Sequence, residues 1–129
     1  MNFLSPRTLT ATGLIFLCIA TTGTALAAES CGGGYIKSVV VNKPAFRDAG
    51  IIGITVLHDD GTTKNYYSYQ FGDIRNSAEI RSLLQLATTA YVSQSHVQVS
   101  VSQKCSYTYK ESDGLTWVTR WNGLWLDSK

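Results

Sequence analysis

Four side chains in this sequence are suited to acid–base chemistry: His58, His96, Glu79 and Arg81. Together they could supply the acid, the base and the phosphate contact of a small secreted ribonuclease. Their settings point elsewhere. Glu79 stands three residues after Asn76, at the start of a helical pattern, and reads as half of a capping box. Arg81 falls on the solvent side of that helix. His58, beside a turn, and His96, at the mouth of a strand, read as surface residues. No strand, G-x-S-x-G turn and helix present a nucleophile. H-E-x-x-H and cysteine pairs at metal-ligand spacing are also missing, so a non-catalytic chain without metal or other cofactor is expected.

What remains is the chemistry of contact. Trp117, Trp121 and Trp125 recur every four residues, and Trp117 and Trp121 share a face if that segment is one strand. Aromatics at such spacing usually fill a core. A sugar-binding surface also uses them, because a pyranose shows C–H faces and hydroxyls and needs a ring platform beside polar groups. Trp125, near the C-terminus, is the one expected to stay exposed. The formal charge is +2, nearly balanced once Arg7 is set aside. Such a chain lacks the basic stripe of a nucleic-acid groove, and no nucleic-acid partner is expected.

Arg7, the apolar run from Leu14 to Ala20 and the small-residue site Ala25-Leu26-Ala27 form a secretory signal pattern over residues 1–27. The run is too short for a membrane anchor. Cys18 follows Leu17 rather than a small residue, which speaks against lipidation. Export through the periplasm to the outside is therefore expected, with residues 28–129 forming a single domain. Cys31 and Cys105 are the two cysteines of that domain and are expected to form one disulfide.

The elements follow from periodicity. "YIKSVVVN" (residues 35–42) reads as a strand bounded by Gly32–Gly34 and Pro44. Residues 51–58 and 62–71 flank Asp59-Asp60-Gly61 and read as a hairpin. A helix over residues 77–92 places Ile80, Leu83, Leu84, Ala87 and Tyr91 in one stripe, facing a sheet. Val97, Val99 and Val101 then alternate with Gln98, Ser100 and Ser102 as a half-buried strand. "SYTYKES" and "LTWVTRW" pair as a last hairpin around Asp113-Gly114, and "NGLWLDSK" is a tail. The fold class is mainly β with one helix, an α+β or barrel-like domain.

The spacing Leu83-Leu84, Ala87, Tyr91, Val97, Val101 resembles the helix-to-strand segment of the B subunits of bacterial toxins that carry five B subunits around one A subunit. It is closest to the subtilase-cytotoxin and typhoid-toxin branch. Cholera-toxin B chains are similar more loosely, in an early cysteine, a hairpin, a helix ending in Ala-Tyr like Ala90-Tyr91, a strand and a second cysteine. The resemblance spans roughly Cys31 to Lys110. It implies an OB-type barrel, a homopentamer, binding of host glycans and delivery of a toxin A subunit. Within it, the helix face bearing Arg81, Gln85 and Thr88 lines a central pore. Tyr107, two residues after the second cysteine, takes the place of a sugar-stacking aromatic, with Lys110 beside it. His58, Asp59, Thr62, Thr63 and Lys64 occupy the hairpin turn that contacts sugar in the typhoid-like branch. The serine that holds sialic acid in that branch is replaced here by Cys31 or Gly32, so a glycan is implied but not sialic acid in particular. A monomeric periplasmic OB-fold binding protein is the alternative reading.

Overall fold

A computed structural model of the chain describes residues 28–128. The export-signal reading of residues 1–27 lies outside the described residues. Seven strands and one helix follow in order: β1 (Glu29–Val41), β2 (Ile52–His58), β3 (Thr63–Tyr67), α1 (Ala78–Ser93), β4 (His96–Val101), β5 (Thr108–Lys110), β6 (Thr116–Val118) and β7 (Trp121–Leu126). They form one mixed sheet in the order β5-β6-β3-β2-β1-β4-β7. Every pairing is antiparallel except β3 with β6.

No ladder joins the two edge strands, so hydrogen bonds do not close the sheet. The sheet nevertheless curls strongly. Five inter-strand steps separate β6 from β7, roughly 24 Å in a flat sheet. Only Thr119 and Arg120 connect them, and that link spans at most about 11 Å. The Arg120 backbone touches both flanks. Its N–H donates to the Tyr69 carbonyl beyond β3 (2.9 Å), and its carbonyl accepts from Ser102 N–H beyond β4 (2.9 Å).

β1 begins at Glu29, not at Tyr35, and runs through the glycines expected to bound it. They are there because neighbouring backbone comes close. A Cβ on Gly34 would lie 2.1 Å from the Leu57 carbonyl oxygen, and Gly32 takes φ +97° at a register shift against β4. The long strand can therefore pair with β4 along its first half and with β2 along its second.

α1 is capped by Ser77, whose Oγ accepts from Ile80 N–H (3.2 Å), rather than by Asn76. The expected Asn76–Glu79 capping box is not formed. The sheet is met by Ile80, Leu83, Ala87 and Ala90. Leu84 lies half-buried at the border of this stripe and Tyr91 is exposed, because the buried face is centred on the Leu83 and Ala90 side.

The main core joins that stripe to Ile36, Ile52, Ile54, Val56, the three valines of β4 and Trp121. A second cluster holds Phe46, Ile51, Tyr67 and Trp117. β4 is buried on both faces rather than half-buried, since β7 covers Ser100 so closely that a Cβ on Gly123 would sit 2.0 Å from its Oγ. The expected tail supplies most of β7. β6 ends at Val118 and Arg120 turns with φ 59°, so Trp117 and Trp121 lie on different strands, both buried. Trp125 is exposed, as expected. Cys31 and Cys105 are joined as a disulfide, which is compatible with a location outside the cytoplasm.

Candidate ligand site

The loop between β4 and β5 is short of regular structure and is held from several sides. The Cys31–Cys105 bond ties it to β1. Tyr107 N–H donates to the Lys104 carbonyl (3.1 Å), and Thr119 N–H donates to the Tyr107 carbonyl (3.0 Å). This loop and the β6–β7 joint enclose an open pocket of about 470 Å³, lined among others by Gln70, Gln103, Tyr107, Tyr109, Thr119 and Arg120.

Two of these residues, Gln70 and Arg120, are non-glycine residues in the left-handed region, with φ 65° and 59°. That conformation costs roughly 1–2 kcal/mol per residue. Backbone strain of this kind clusters where side chains must be aimed. Arg120 Nε is buried without a hydrogen-bond partner. No carboxylate lines the pocket. The lining consists of two exposed phenol rings, two carboxamides, the hydroxyls of Ser106, Thr108 and Thr119, and a guanidinium.

Tyr109 is held rigidly. The Arg47 guanidinium lies 4.7 Å over its ring, and Tyr69 meets it edge-on at 5.7 Å. Arg47 Nε in turn donates to Glu111 Oε1 (2.9 Å), which also accepts from the Tyr67 hydroxyl (2.7 Å). Burial first, then the bond to Glu111, pushes the Tyr67 hydroxyl well above the usual tyrosine range. The Arg47 guanidinium is raised chiefly by its hydrogen bond to Glu111. This brace fixes one wall of the pocket before any ligand arrives.

Beyond Thr108, a second pocket of about 400 Å³ is lined by Thr63, Lys64, Thr108, Thr116 and the Cys105 end of the disulfide. The structure thus brings Thr63 and Lys64 of the hairpin alongside the Tyr107 pocket, with Thr108 shared between the two. Thr62 does not reach either; its N–H and hydroxyl both go to Asp60 Oδ1, closing the turn. Lys110 is exposed on β5 but lines neither pocket, and Trp125 stands apart on β7. Arg81, Gln85 and Thr88 are exposed along one side of α1, where Arg81 Nη1 donates to the Ile74 carbonyl and Thr88 Oγ1 to the Leu84 carbonyl.

The histidines are not surface residues. His58 is 6% and His96 7% exposed. His58 Nδ1 lies 3.1 Å from the Gly33 carbonyl and Nε2 2.6 Å from the Tyr66 hydroxyl, an arrangement that suits a neutral ring donating from Nδ1 and accepting at Nε2. Burial, the dominant cause, and Lys64 hold its pKa below the ordinary value. His96 is bonded to Asp59, whose side chain is 38% exposed, and to Asp127, so of the two hairpin residues His58 is buried while Asp59 reaches the surface. Among the described residues, no three His, Cys, Asp or Glu side chains gather in a way that could hold a metal ion.

Among the pocket residues that sequence reasoning did not single out are Tyr109, Gln70, Gln103 and Arg120. Tyr109 carried a usable signal, since it alternates with Tyr107 in "SYTYK". Gln70 and Arg120 carried none, because their placement depends on left-handed backbone that glycine would ordinarily supply. Comparison with protein-family models, with curated proteins and with solved structures finds no match to this chain.

Proposed function

We propose that the chain is a secreted, non-catalytic glycan-binding subunit of the pentameric toxin-B type, built on an OB-type barrel, whose ring of five displays glycan sites for delivery of a separate A subunit. One observation carries the reading. Two exposed tyrosines, Tyr107 and Tyr109, wall a polar pocket with Gln70, Gln103 and Arg120. Aromatic faces for sugar C–H groups beside carboxamides and a guanidinium for hydroxyls suit a saccharide better than an apolar ligand.

The barrel reading draws support from β1 pairing with both β2 and β4, from the parallel β3–β6 pair, and from the Arg120 joint between the sheet's two flanks. The exposed polar face of α1 at Arg81, Gln85 and Thr88 suits a pore lining. A shallow site binds a single sugar weakly, and five sites on one face raise avidity by orders of magnitude without new contacts.

The test is glycan-array binding of the purified 28–129 chain together with its mass by light scattering. The reading expects glycan binding that Tyr107→Ala removes and a mass near five times that of one chain. Binding by a monomer would favour a periplasmic binding protein instead. Failure to bind any glycan in the pentameric state would remove the saccharide reading.

A further inference from the structure

Arg120 is an unneutralised cation in a pocket without acids. Among the described residues its guanidinium joins no ion pair, and its Nε is buried with no hydrogen-bond partner. None of the residues lining the Tyr107 pocket is an Asp or Glu, and the same holds for the Thr63–Lys64 pocket beyond Thr108. Arg120 is half-buried, and a charge taken partly out of water costs free energy unless an opposite charge meets it.

The surrounding charges have the same sign. Lys104 Nζ lies 6.0 Å from the centre of the Tyr107 ring, Arg47 lies over the Tyr109 ring, and Lys64 lines the neighbouring pocket. The carboxylates closest in sequence to β5 are already engaged: Glu111 by Arg47 and Tyr67, and Asp113 by Lys43 at 2.6 Å. On the disulfide side, Glu29 Oε1 accepts from Cys105 N–H (3.4 Å). The whole chain carries a formal charge of only +2, so this gathering of cations is local and not a consequence of composition.

We infer that the Tyr107 pocket takes a saccharide bearing an anionic substituent, a carboxylate or a sulfate ester, and that the Arg120 guanidinium is the group that selects it. The inference rests on the saccharide reading of this pocket and narrows it from glycans in general to acidic ones. A sugar hydroxyl accepts a bond from a guanidinium but leaves its charge uncompensated. An oxyanion does both, and charge-assisted bonds are roughly twice as strong as neutral ones. The faces of Tyr107 and Tyr109 are left to the sugar C–H groups, and the carboxamides of Gln70 and Gln103 to its hydroxyls. Glycine would turn the joint at φ 59° without strain, so what arginine adds there is its side chain.

The test is glycan-array binding by the purified protein on matched sets, in which one oligosaccharide is displayed neutral, as its hexuronate and as its 6-O-sulfate. Acidic members should bind about ten-fold or more above their neutral counterparts, the effect of one charge-assisted hydrogen bond, and added sodium chloride should erode the difference. The two acidic arms tell which oxyanion the pocket takes. Arg120→Gly should abolish the preference and keep the fold, since glycine accepts φ 59° and retains the backbone bonds to Tyr69 and Ser102. Lys37→Ala, which removes an exposed cation outside both pockets, should leave the preference unchanged. Neutral and acidic members bound alike, or a preference that survives in Arg120→Gly, overturns the inference and leaves the saccharide reading standing. Binding to no member overturns both. The wild-type comparison of neutral with acidic members needs no variant, so it stands even if Arg120→Gly does not fold.

Discussion

The Arg47 guanidinium lies over the ring of Tyr109 at 4.7 Å while its Nε bonds Glu111, so one side chain braces the pocket wall and neutralises a carboxylate that is 3% exposed. Arg47→Ala takes both away. Glu111 keeps only the Tyr67 hydroxyl, and its buried carboxylate loses a cation that is itself 45% exposed, so the cost falls on the carboxylate side. The melting temperature should fall by several degrees, and adding Glu111→Gln should recover part of the loss. Two variants whose effects simply add in thermal denaturation would show that the brace is not a coupled unit.

Tyr107 is 47% exposed, so its truncation separates binding from folding. Tyr107→Ala should weaken glycan binding by about 1–3 kcal/mol per site through lost buried ring area, with the melting temperature nearly unchanged. Tyr109→Ala should weaken binding comparably but also lower stability, because Arg47 and Tyr69 pack on that ring. Isothermal titration and thermal denaturation on the same samples check both. A large stability loss with intact binding in Tyr107→Ala would place the residue outside the site.

Cys31 and Cys105 are 74 residues apart, and closing a loop of that size is worth roughly 4 kcal/mol in the chain-entropy view. Replacing both with serine should lower stability by about that amount. Gln103, Ser106 and Tyr107 lie within two residues of Cys105 and line the pocket, so reduction should also loosen one wall. Ligand affinity should drop under reductant at temperatures where circular dichroism still reports a folded chain. Unchanged affinity in the folded, reduced protein would mean that the loop is held by its hydrogen bonds alone.

His58 and His96 should impose opposite pH dependences. His58 is held below its ordinary pKa of 6.5 chiefly by burial, so its contribution is fully present above 6.5 and lost as pH falls through the folded value. His96 is raised, so its contribution is full below 6.5 and fades as pH rises through the folded value. In His96→Gln only the His58 effect remains near neutrality. Melting temperature in that variant should decline from pH 7.5 toward 5.5, more steeply than in wild type. A flat profile in the variant would contradict the neutral assignment of His58.

Much of the fold was legible because side-chain period reports burial directly. The helix came from Ile80, Leu83 and Ala87, the first hairpin from Asp59-Asp60-Gly61, and the last from Asp113-Gly114. The misreadings have local causes. Ser77 competed with Asn76 as a cap one residue away, and only three-dimensional placement decides between them. Gly32–Gly34 looked like a break because glycine usually ends strands, whereas here it admits close backbone. β7 was hidden because Gly123 interrupts its pattern. Of the pocket lining only Tyr107 was anticipated, and that through the resemblance to toxin B chains that place an aromatic two residues after the second cysteine. The burial of His58 and His96 depends on long-range pairing of β1 with both β2 and β4, which periodicity cannot express.

The placement of β1 has a kinetic consequence. The first strand sits near the middle of the sheet, between β2 and a β4 that ends at Val101, and the parallel β3–β6 pair waits for Thr116–Val118. Almost none of the sheet can be finished from a partial chain. Non-local pairings must bear loop-closure entropy before they gain contacts, so this topology folds slowly for its length, while α1 and the β2–β3 hairpin can form early. The sheet of a growing chain therefore stays incomplete until nearly its last strand is made, so the disulfide partner Cys105 is already present before the sheet can be finished.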